Sequence, residues 1–202
     1  MTAPFGGIPD RFEPPGGPSE RRAVVLPGAG YSPAAPLLEF GRQGLLQHGW
    51  AVRQVWWDTA SRAADVSRAE WVLDQLDRAV AAETAREPTP TRWLVMAKSL
   101  GTLAVASSFR ADAYVLFTPL LRENACVEGL RGLVDEGRPV LLVGGDQDEV
   151  WSGATARSLG CPVVEVPGAD HGLLVVGDAV RSAEAHAEVA RHVDDFLRGL
   201  DP

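Results

Sequence analysis

The fold prediction depends on one stretch of the chain, Trp93-Leu94-Val95-Met96-Ala97-Lys98-Ser99-Leu100-Gly101-Thr102. Its first half, residues 93–97, is an apolar run with the length of a buried strand, and the run stops at Lys98-Ser99. A helical segment, residues 100–109, follows with no loop residues between. The stretch therefore predicts a strand, a sharp turn at Ser99 and a helix.

Small residues on both sides of Ser99 have a physical reason. In a nucleophile elbow, which is a small-x-Ser-x-Gly turn between a strand and a helix, the two elements pass within contact distance of each other. Ala97 and Gly101 are small enough, although Ala97 stands where Gly is commoner. The alternative is that Ser99 only caps the helix after a buried strand, and the motif alone leaves both interpretations open.

Further apolar segments of strand length alternate with helical segments on either side of this stretch. The other predicted strands cover residues 23–26, 51–57, 113–117, 139–143 and 162–166. Ser32 is expected to cap the first helix, with Pro33 at its first position. Short strands that alternate with helices are typical of βαβ units. We predict an α/β fold, a three-layer αβα sandwich with a mostly parallel six-stranded sheet.

The chain has 202 residues, which fits one domain with a single core. Residues 1–20 contain five Pro and four Gly, a composition that disfavours a helix or a central strand. The predicted organisation is a flexible Pro/Gly-rich lead-in over residues 1–21 and a folded domain over residues 22–202.

Composition also limits the partners and the location. The formal net charge of −8 argues against nucleic acid and anionic membrane surfaces as partners. No apolar run has the ~20 residues needed to span a bilayer, and the start of the sequence lacks the pattern of a secretory signal. Cys126 and Cys161 have no CxxC spacing, which favours neither a disulfide scaffold nor a metal site. We expect a cytoplasmic protein without a cofactor or metal, and its oligomeric state stays open.

Three chemically complementary residues follow different predicted strands. Ser99 follows the third strand, Asp148 the fifth and His171 the sixth. In open α/β sheets functional groups gather beyond the carboxyl ends of the strands. A serine hydroxyl needs a base within hydrogen-bond reach, and the base needs a carboxylate to orient it. Asp146 leaves the same strand end and is an alternative carboxylate. The longer spacing from Gly145 to Asp148 favours Asp148, because the chain has room to turn.

On these residues the sequence resembles the α/β-hydrolase superfamily, over about residues 22–200. The motifs that carry the resemblance are Leu26-Pro27-Gly28-Ala29-Gly30, Ala97-Lys98-Ser99-Leu100-Gly101, Gly145-Asp146-Gln147-Asp148 and Ala169-Asp170-His171-Gly172. The resemblance implies that Ser99 is the nucleophile, His171 the base and Asp148 the acid. The backbone amides of Ala29 and Leu100 are the expected oxyanion hole.

Two departures and one short connection qualify the resemblance. Pro27 stands where many members have His, and the family's first two strands are absent from the predicted sheet. Residues 118–121 leave almost no room for a lid before the next helix. The chain is therefore similar to small, lidless dienelactone-hydrolase-like and carboxylesterase-like members. The implied function is cleavage of an ester or related acyl bond of a small-molecule substrate, with thioesterase, lactonase and acyltransferase chemistry left open.

Five residues near the predicted site are candidates for the pocket lining: Gly30, Tyr31, Trp57, Lys98 and Trp151. For Lys98 the alternative to a place in the pocket lining is a solvated neighbour of the elbow serine. For the aromatic residues, packing in the core is an equal alternative.

Two other classes of function compete with the hydrolase. The first is a catalytically silent α/β-hydrolase fold that acts as an interaction module. The second is a nucleotide-binding oxidoreductase, because Gly28-Ala29-Gly30 follows a strand and Asp58 closes the next one. Against the second, Pro33 stands where a dinucleotide site would have its third Gly.

Overall fold

Seven strands form one sheet in the computed structural model, which describes residues 9–200. The strands are β1 (Arg11–Phe12), β2 (Arg21–Leu26), β3 (Ala51–Gln54), β4 (Arg92–Lys98), β5 (Ala113–Phe117), β6 (Val140–Gly145) and β7 (Val163–Val166). Their order across the sheet is β1-β3-β2-β4-β5-β6-β7, and every neighbouring pair is parallel except β1 with β3. The predicted α/β architecture and its six strands are confirmed, and β1 is a seventh strand that the prediction lacked.

Helices cover both faces of this sheet. They are α1 (Pro36–Gln47), α2 (Arg68–Thr84), α3 (Asn124–Asp135), α4 (Gly153–Ser158) and α5 (Ala179–Arg198), with 3₁₀ helices at Thr59–Ser61 and Ser99–Ala106. We call Ser99–Ala106 the elbow helix. Along β2, Val24 and Leu26 pack towards α2 and the elbow helix, whereas Ala23 and Val25 pack towards α1 and α5. This alternation follows from the two-residue period of a strand and gives the sheet a core on each face.

The predicted lead-in lies partly outside the described residues, of which residue 9 is the first. Within the described part, Arg11 pairs with Arg53 and Phe12 with Val52 in antiparallel register. A two-residue strand is too short to give an alternating pattern, which is why the sequence did not predict it. The flexibility of the lead-in and its boundary at residue 21 stay predictions.

The helix ends show which residues cap them. The capping box at Ser67 and Glu70 is present, and Gly49, which follows α1, has a φ of +75° that suits glycine. The predicted start of α1 is wrong, because the helix begins three residues beyond Pro33. Ser32 instead accepts a hydrogen bond from the Ala34 amide at 3.1 Å and forms a local turn.

No helix among residues 9–200 combines the length and the apolar character that crossing a bilayer requires.

Candidate active site

The elbow at Ser99 has the tight geometry that the sequence predicts. Ser99 has a φ of 49°, in the left-handed region that a serine adopts only under strain. A Cβ at Gly101 would lie 2.7 Å from the carbonyl oxygens of both Leu26 and Pro27. The amide of Gly101 also donates to the carbonyl of Pro27 at 3.1 Å. No side chain fits at position 101, because the elbow helix passes directly over the end of β2.

Ser99, His171 and Asp148 form one chain of hydrogen bonds. Nε2 of His171 lies 2.8 Å from Oγ of Ser99, and Nδ1 of His171 lies 2.8 Å from Oδ2 of Asp148. The side chain of Asp148 is 1% exposed and that of His171 is 42% exposed. The other oxygen of Asp148, Oδ1, accepts from the amide of Val150 at 2.9 Å. The carboxylate is therefore buried and held in place, whereas the imidazole edge can reach solvent or a ligand.

Of the two candidate carboxylates, Asp148 is the one that contacts His171. Asp146 points elsewhere, since its Oδ1 accepts from the amide of Gly168 at 2.7 Å. Asp146 therefore stabilises the turn after β7. The two intervening residues after Gly145 give the chain enough length to aim Asp148 towards the histidine.

The loop that carries His171 is stabilised by its own hydrogen bonds. Oδ1 of Asp170 accepts from the amides of Gly172 at 2.7 Å and Leu174 at 3.0 Å. Leu173 has a φ of +55° and is completely buried. Asp170 shapes the turn, as its position next to the histidine indicates.

Lys98 is buried, so the alternative of a solvated lysine is wrong. Its side chain is almost completely enclosed, and Nζ donates to Oγ1 of Thr118 at 3.0 Å and to the backbone carbonyl of His171 at 2.9 Å. The ammonium also lies 4.6 Å from the ring centroid of Tyr31. Burial lowers the pKa of Lys98 to about 8, against the opposing attraction of Asp148 and Asp170. The missed signal is its place in a central strand, where both flanking strands exclude water.

The backbone amides of Ala29 and Leu100, the predicted oxyanion-hole donors, have no acceptor among residues 9–200. The Leu100 amide lies in the first turn of the elbow helix, where helical amides lack an internal partner. The loop that carries Ala29 passes close to the serine, because a Cβ at Gly28 would lie 3.4 Å from the Ser99 Cβ. Nε1 of Trp57 donates to the carbonyl of Gly28 at 3.0 Å and holds this loop.

Two adjoining cavities open at these groups. The first has a volume of about 280 Å³, and its lining is Gly28, Ala29, Gly30, Tyr31, Lys98, Ser99, His171 and Gly172. The second has a volume of about 220 Å³ and is lined by residues 27–33 together with Trp56 and Trp57. The shared wall, residues 28–31, makes them neighbouring parts of one depression.

Four of the five predicted lining residues border these cavities, and Trp151 does not. Trp151 is buried in the core, where its ring packs against Gly144. Its Nε1 donates to Oε2 of Glu165 at 2.7 Å. The alternative of core packing therefore describes Trp151.

The sequence analysis missed Thr102, which supports the elbow from below. Oγ1 of Thr102 donates to the carbonyl of Ser99 at 2.6 Å and accepts from the amide of Leu120 at 3.3 Å. The residue is fully buried. Its signal is a polar residue within an otherwise apolar helical segment, because a buried hydroxyl needs partners.

Comparison with known proteins rests on solved structures. No family model matches the chain, and no curated protein matches it either. An α/β serine hydrolase homologue from Coxiella burnetii superposes with a TM-score of 0.70 at 14% identity, covering 95% of this chain and 90% of that one. A lidless α/β serine hydrolase from Xanthomonas campestris gives 0.69 at 16%, covering 95% and 88%. Est1E from Butyrivibrio proteoclasticus gives 0.67 at 17%, covering 94% and 92%.

These similarities show the fold. The chain has the α/β-hydrolase fold, as the sequence resemblance implies, in the small form seen in lidless members. The connection between β5 and α3 consists of residues 118–123, so no inserted subdomain covers the site at that point.

Proposed function

We propose that the protein is a serine hydrolase that cleaves an ester or related acyl bond of a small substrate. The observation that carries the proposal is the continuous chain of hydrogen bonds from Ser99 through His171 to Asp148. The hydroxyl of Ser99 needs a base within hydrogen-bond reach, and His171 is one. The imidazole needs a carboxylate to orient it, and Asp148 is one. The similarity to serine hydrolases and esterases of the same fold supports the proposal.

The first half of the reaction forms an acyl-enzyme. Nε2 of His171 accepts the hydroxyl proton while Oγ of Ser99 attacks the substrate carbonyl. The buried carboxylate of Asp148 keeps the proton on Nδ1 and stabilises the imidazolium that forms. The imidazolium then donates its proton to the leaving alcohol, and the acyl group stays on Ser99.

The oxyanion of the tetrahedral intermediate needs donors that are already in place. The amides of Ala29 and Leu100 have no partner among the described residues; Leu100 follows Ser99 in the chain, and Ala29 lines the same cavity as Ser99. Loss of one such donor typically lowers kcat by about 10²–10³. The same amides serve the second half-reaction, in which His171 activates a water that releases the acyl group. An alcohol or thiol in place of water would give acyl transfer.

The open cavities favour small acyl groups over long ones. Their volumes of about 280 and 220 Å³ would hold an acyl chain of a few carbons or one aromatic ring. Tyr31 and Trp57 supply apolar surface on one side. Est1E, which has the same fold, has been solved with ferulic acid bound.

The structure favours the hydrolase over the nucleotide-binding alternative. In a dinucleotide site the glycine-rich turn leads directly into a helix whose N-terminus holds the pyrophosphate. Here β2 ends at Leu26 and α1 begins only at Pro36. The interval of irregular chain removes the helix N-terminus from the position that the phosphates need.

The cytoplasmic location and the absence of nucleic-acid and membrane partners stay predictions.

The experiment is labelling with a fluorophosphonate, followed by mass spectrometry and a panel of acyl esters. We expect a single adduct at Ser99, and Ser99→Ala should lose both the adduct and the ester turnover. Ser158→Ala, a change at an exposed serine in α4, is the matched control and should keep both. An adduct on another serine, or ester turnover that survives Ser99→Ala, would refute the proposal. Absence of both from the wild-type protein would favour the silent interaction module.

A further inference from the structure

We propose that Lys98 is a positioning residue for His171, because its ammonium ties the histidine loop directly to the strand that presents the nucleophile. The inference rests on the proposed function for its catalytic consequence. Its structural content is independent of that function, since it concerns only where the imidazole is held.

All three N–H donors of the Lys98 ammonium have a partner. One donates to the backbone carbonyl of His171 at 2.9 Å and one to Oγ1 of Thr118 at 3.0 Å. The third can point at the face of Tyr31, whose ring centroid is 4.6 Å from Nζ. Both hydrogen bonds of the ammonium are charge-assisted, and one of them holds the backbone of His171, the proposed base.

The anchored side of this contact is rigid. Lys98 ends β4 and pairs with Phe117 at the end of β5. The next residue, Thr118, has a φ of +42° and is completely buried, and its amide donates to the carbonyl of Val143 at 2.6 Å. The hydroxyl that holds the ammonium is thus fixed by three neighbouring strands.

The His171 loop, on the other side of the contact, needs a link to β4. The nucleophile follows β4 and the base follows β7, with β5 and β6 between them. Three strand spacings of ~4.8 Å separate β4 from β7 by about 14 Å. Apart from the hydrogen bonds that the imidazole itself makes to Ser99 and Asp148, the distance between Ser99 and the backbone of His171 would depend on the alignment of four strands and one loop. Lys98 reduces that dependence by tying the residue before the nucleophile directly to the backbone of His171.

A purely structural role would not require a lysine at this position. A buried charge is expensive unless it is paired, and an apolar side chain of similar length would pack there without that penalty. The nearby carboxylates of Asp148 and Asp170 favour the charged form, although neither forms a described hydrogen bond with Nζ. The ammonium contributes a directional hydrogen bond to the backbone carbonyl of His171, which an apolar side chain could not make.

The test uses the full chain with Lys98→Met, which keeps the length and removes the donors. We expect kcat on a short acyl ester to fall by about 10- to 100-fold, the size of loss that a misplaced catalytic group produces. KM should change by less than about twofold, because Met keeps the length and bulk of the lysine side chain in the cavity wall. The second readout is the downfield proton on Nδ1 of His171 in proton NMR, which should broaden or disappear in the variant.

A second pair of variants keeps the inference testable if Lys98→Met folds poorly. Thr118→Val removes the hydroxyl that aims the ammonium and should lower kcat by about tenfold, whereas Thr118→Ser keeps a hydroxyl and should stay near the wild-type rate. Fully retained kcat and an unchanged downfield proton in folded Lys98→Met would overturn the inference. So would equal behaviour of the two Thr118 variants.

Failure of the proposed function gives a different pattern. In that case the wild-type protein would neither hydrolyse esters nor be labelled at Ser99. The NMR comparison of wild type with Lys98→Met would still decide whether Lys98 positions His171.

Discussion

Lys98 places a titratable charge beside the base, so the proposed activity should decline on the alkaline side. Below its pKa of about 8 the ammonium makes charge-assisted bonds to His171 and Thr118. Above it the neutral amine keeps two N–H donors, and the bonds become weaker. We expect kcat to fall by up to about tenfold between about pH 7 and 10 in the wild type. The kcat of Lys98→Met should be lower at every pH and should not decline over this range.

Stability should change in the opposite direction over the same range. The pKa of Lys98 is lowered from 10.5 to about 8, so between these values the unfolded chain binds more protons than the folded one. The free energy of unfolding therefore rises with pH in this window, by up to about 3 kcal/mol from this group. The charged and titratable groups around it are Asp148, Asp170, His171 and Tyr31. Urea unfolding of wild type against Lys98→Met isolates the lysine, and parallel pH curves would contradict this expectation.

The choice between two aspartates is a second prediction at the scale of the residue. Asp148→Asn should keep the fold but favour the wrong tautomer of His171, with a loss on the order of 10⁴ in kcat. Asp146→Asn should lose far less, since its carboxylate accepts from the Gly168 amide and the Gln147 side chain and makes no described bond to His171. The measurement is kcat at saturating ester and equal folded fraction. A larger loss of kcat in Asp146→Asn than in Asp148→Asn would show that Asp146, and not Asp148, is the carboxylate partner of His171.

Residue chemistry explains which site residues the sequence could predict. Ser99, Asp148 and His171 each follow an apolar strand, and parallel strands bring their carboxyl ends together, so their meeting follows from the chain order. The environment of Lys98 does not follow from local pattern, because a lysine is ordinarily exposed. Its burial depends on Tyr31 and Thr118, which come from distant parts of the chain.

At the scale of the element, α3 contains two glycines with opposite surroundings. A Cβ at Gly129 would lie 2.7 Å from the carbonyl oxygen of Val105 in the elbow helix, whereas one at Gly132 would meet nothing within 4 Å. Gly129→Ala should therefore force the two helices apart and lower the free energy of unfolding by about 1–3 kcal/mol. Gly132→Ala should raise it by up to about 1 kcal/mol through helix propensity. Urea unfolding of both variants compares them within one helix, and equal effects would show that α3 packs differently.

The short connection between β5 and α3 gives a second prediction at this scale. Because residues 118–123 leave no inserted cover, no segment there needs to open at a lipid surface. Rates on acetyl or butyryl esters should exceed those on palmitoyl esters. A plot of rate against substrate concentration should pass the micelle concentration smoothly. An abrupt increase there would reveal a cover supplied by another part of the chain.

The elements themselves were predictable where the pattern is long and regular. The six parallel strands and the start of α2 at Ser67 follow from apolar runs and a capping box. The predicted start of α1 was wrong. The amide of Leu37 donates to the hydroxyl of Tyr31 at 3.0 Å, and this contact fixes a later first turn of the helix. That contact joins residues six positions apart and leaves no local signature. The helix after Ser99 is 3₁₀ and ends at Ala106, a detail that propensity does not determine.

At the scale of the whole molecule, one buried carboxylate joins several elements at the end of the sheet opposite the site. Glu83 is 1% exposed and lies 3.0 Å from Nε of Arg11 and 2.9 Å from Nε of Arg53. Arg22, which is fully buried, lies 3.3 Å away without the alignment of a hydrogen bond. Glu83 in α2 is therefore a counter-charge common to arginines of β1, β2 and β3, and Arg11 and Arg53 have further partners in Glu13 and Asp10.

Removal of that charge should destabilise the whole domain without altering the chemistry. Glu83→Gln leaves Arg22 buried without a carboxylate, a change that typically costs about 3–5 kcal/mol. Glu136→Gln, in an exposed ion pair with Arg110 and Arg138, is the matched control and should cost less than about 1 kcal/mol. Urea unfolding measures both, and kcat of the folded fraction should stay unchanged. Equal losses of unfolding free energy in Glu83→Gln and Glu136→Gln would mean that the groups around Arg22 rearrange to compensate for the missing carboxylate.

β1 contributes little to the core, yet its two residues have a consequence for how molecules meet. The outer edge of β3 would otherwise present unpaired backbone amides and carbonyls, a template on which the strand of another molecule could add. Arg11 and Phe12 occupy that edge, and Pro14-Pro15 follow after Glu13, so a further strand finds few donors to pair with. The segment thereby protects the sheet from edge-to-edge aggregation.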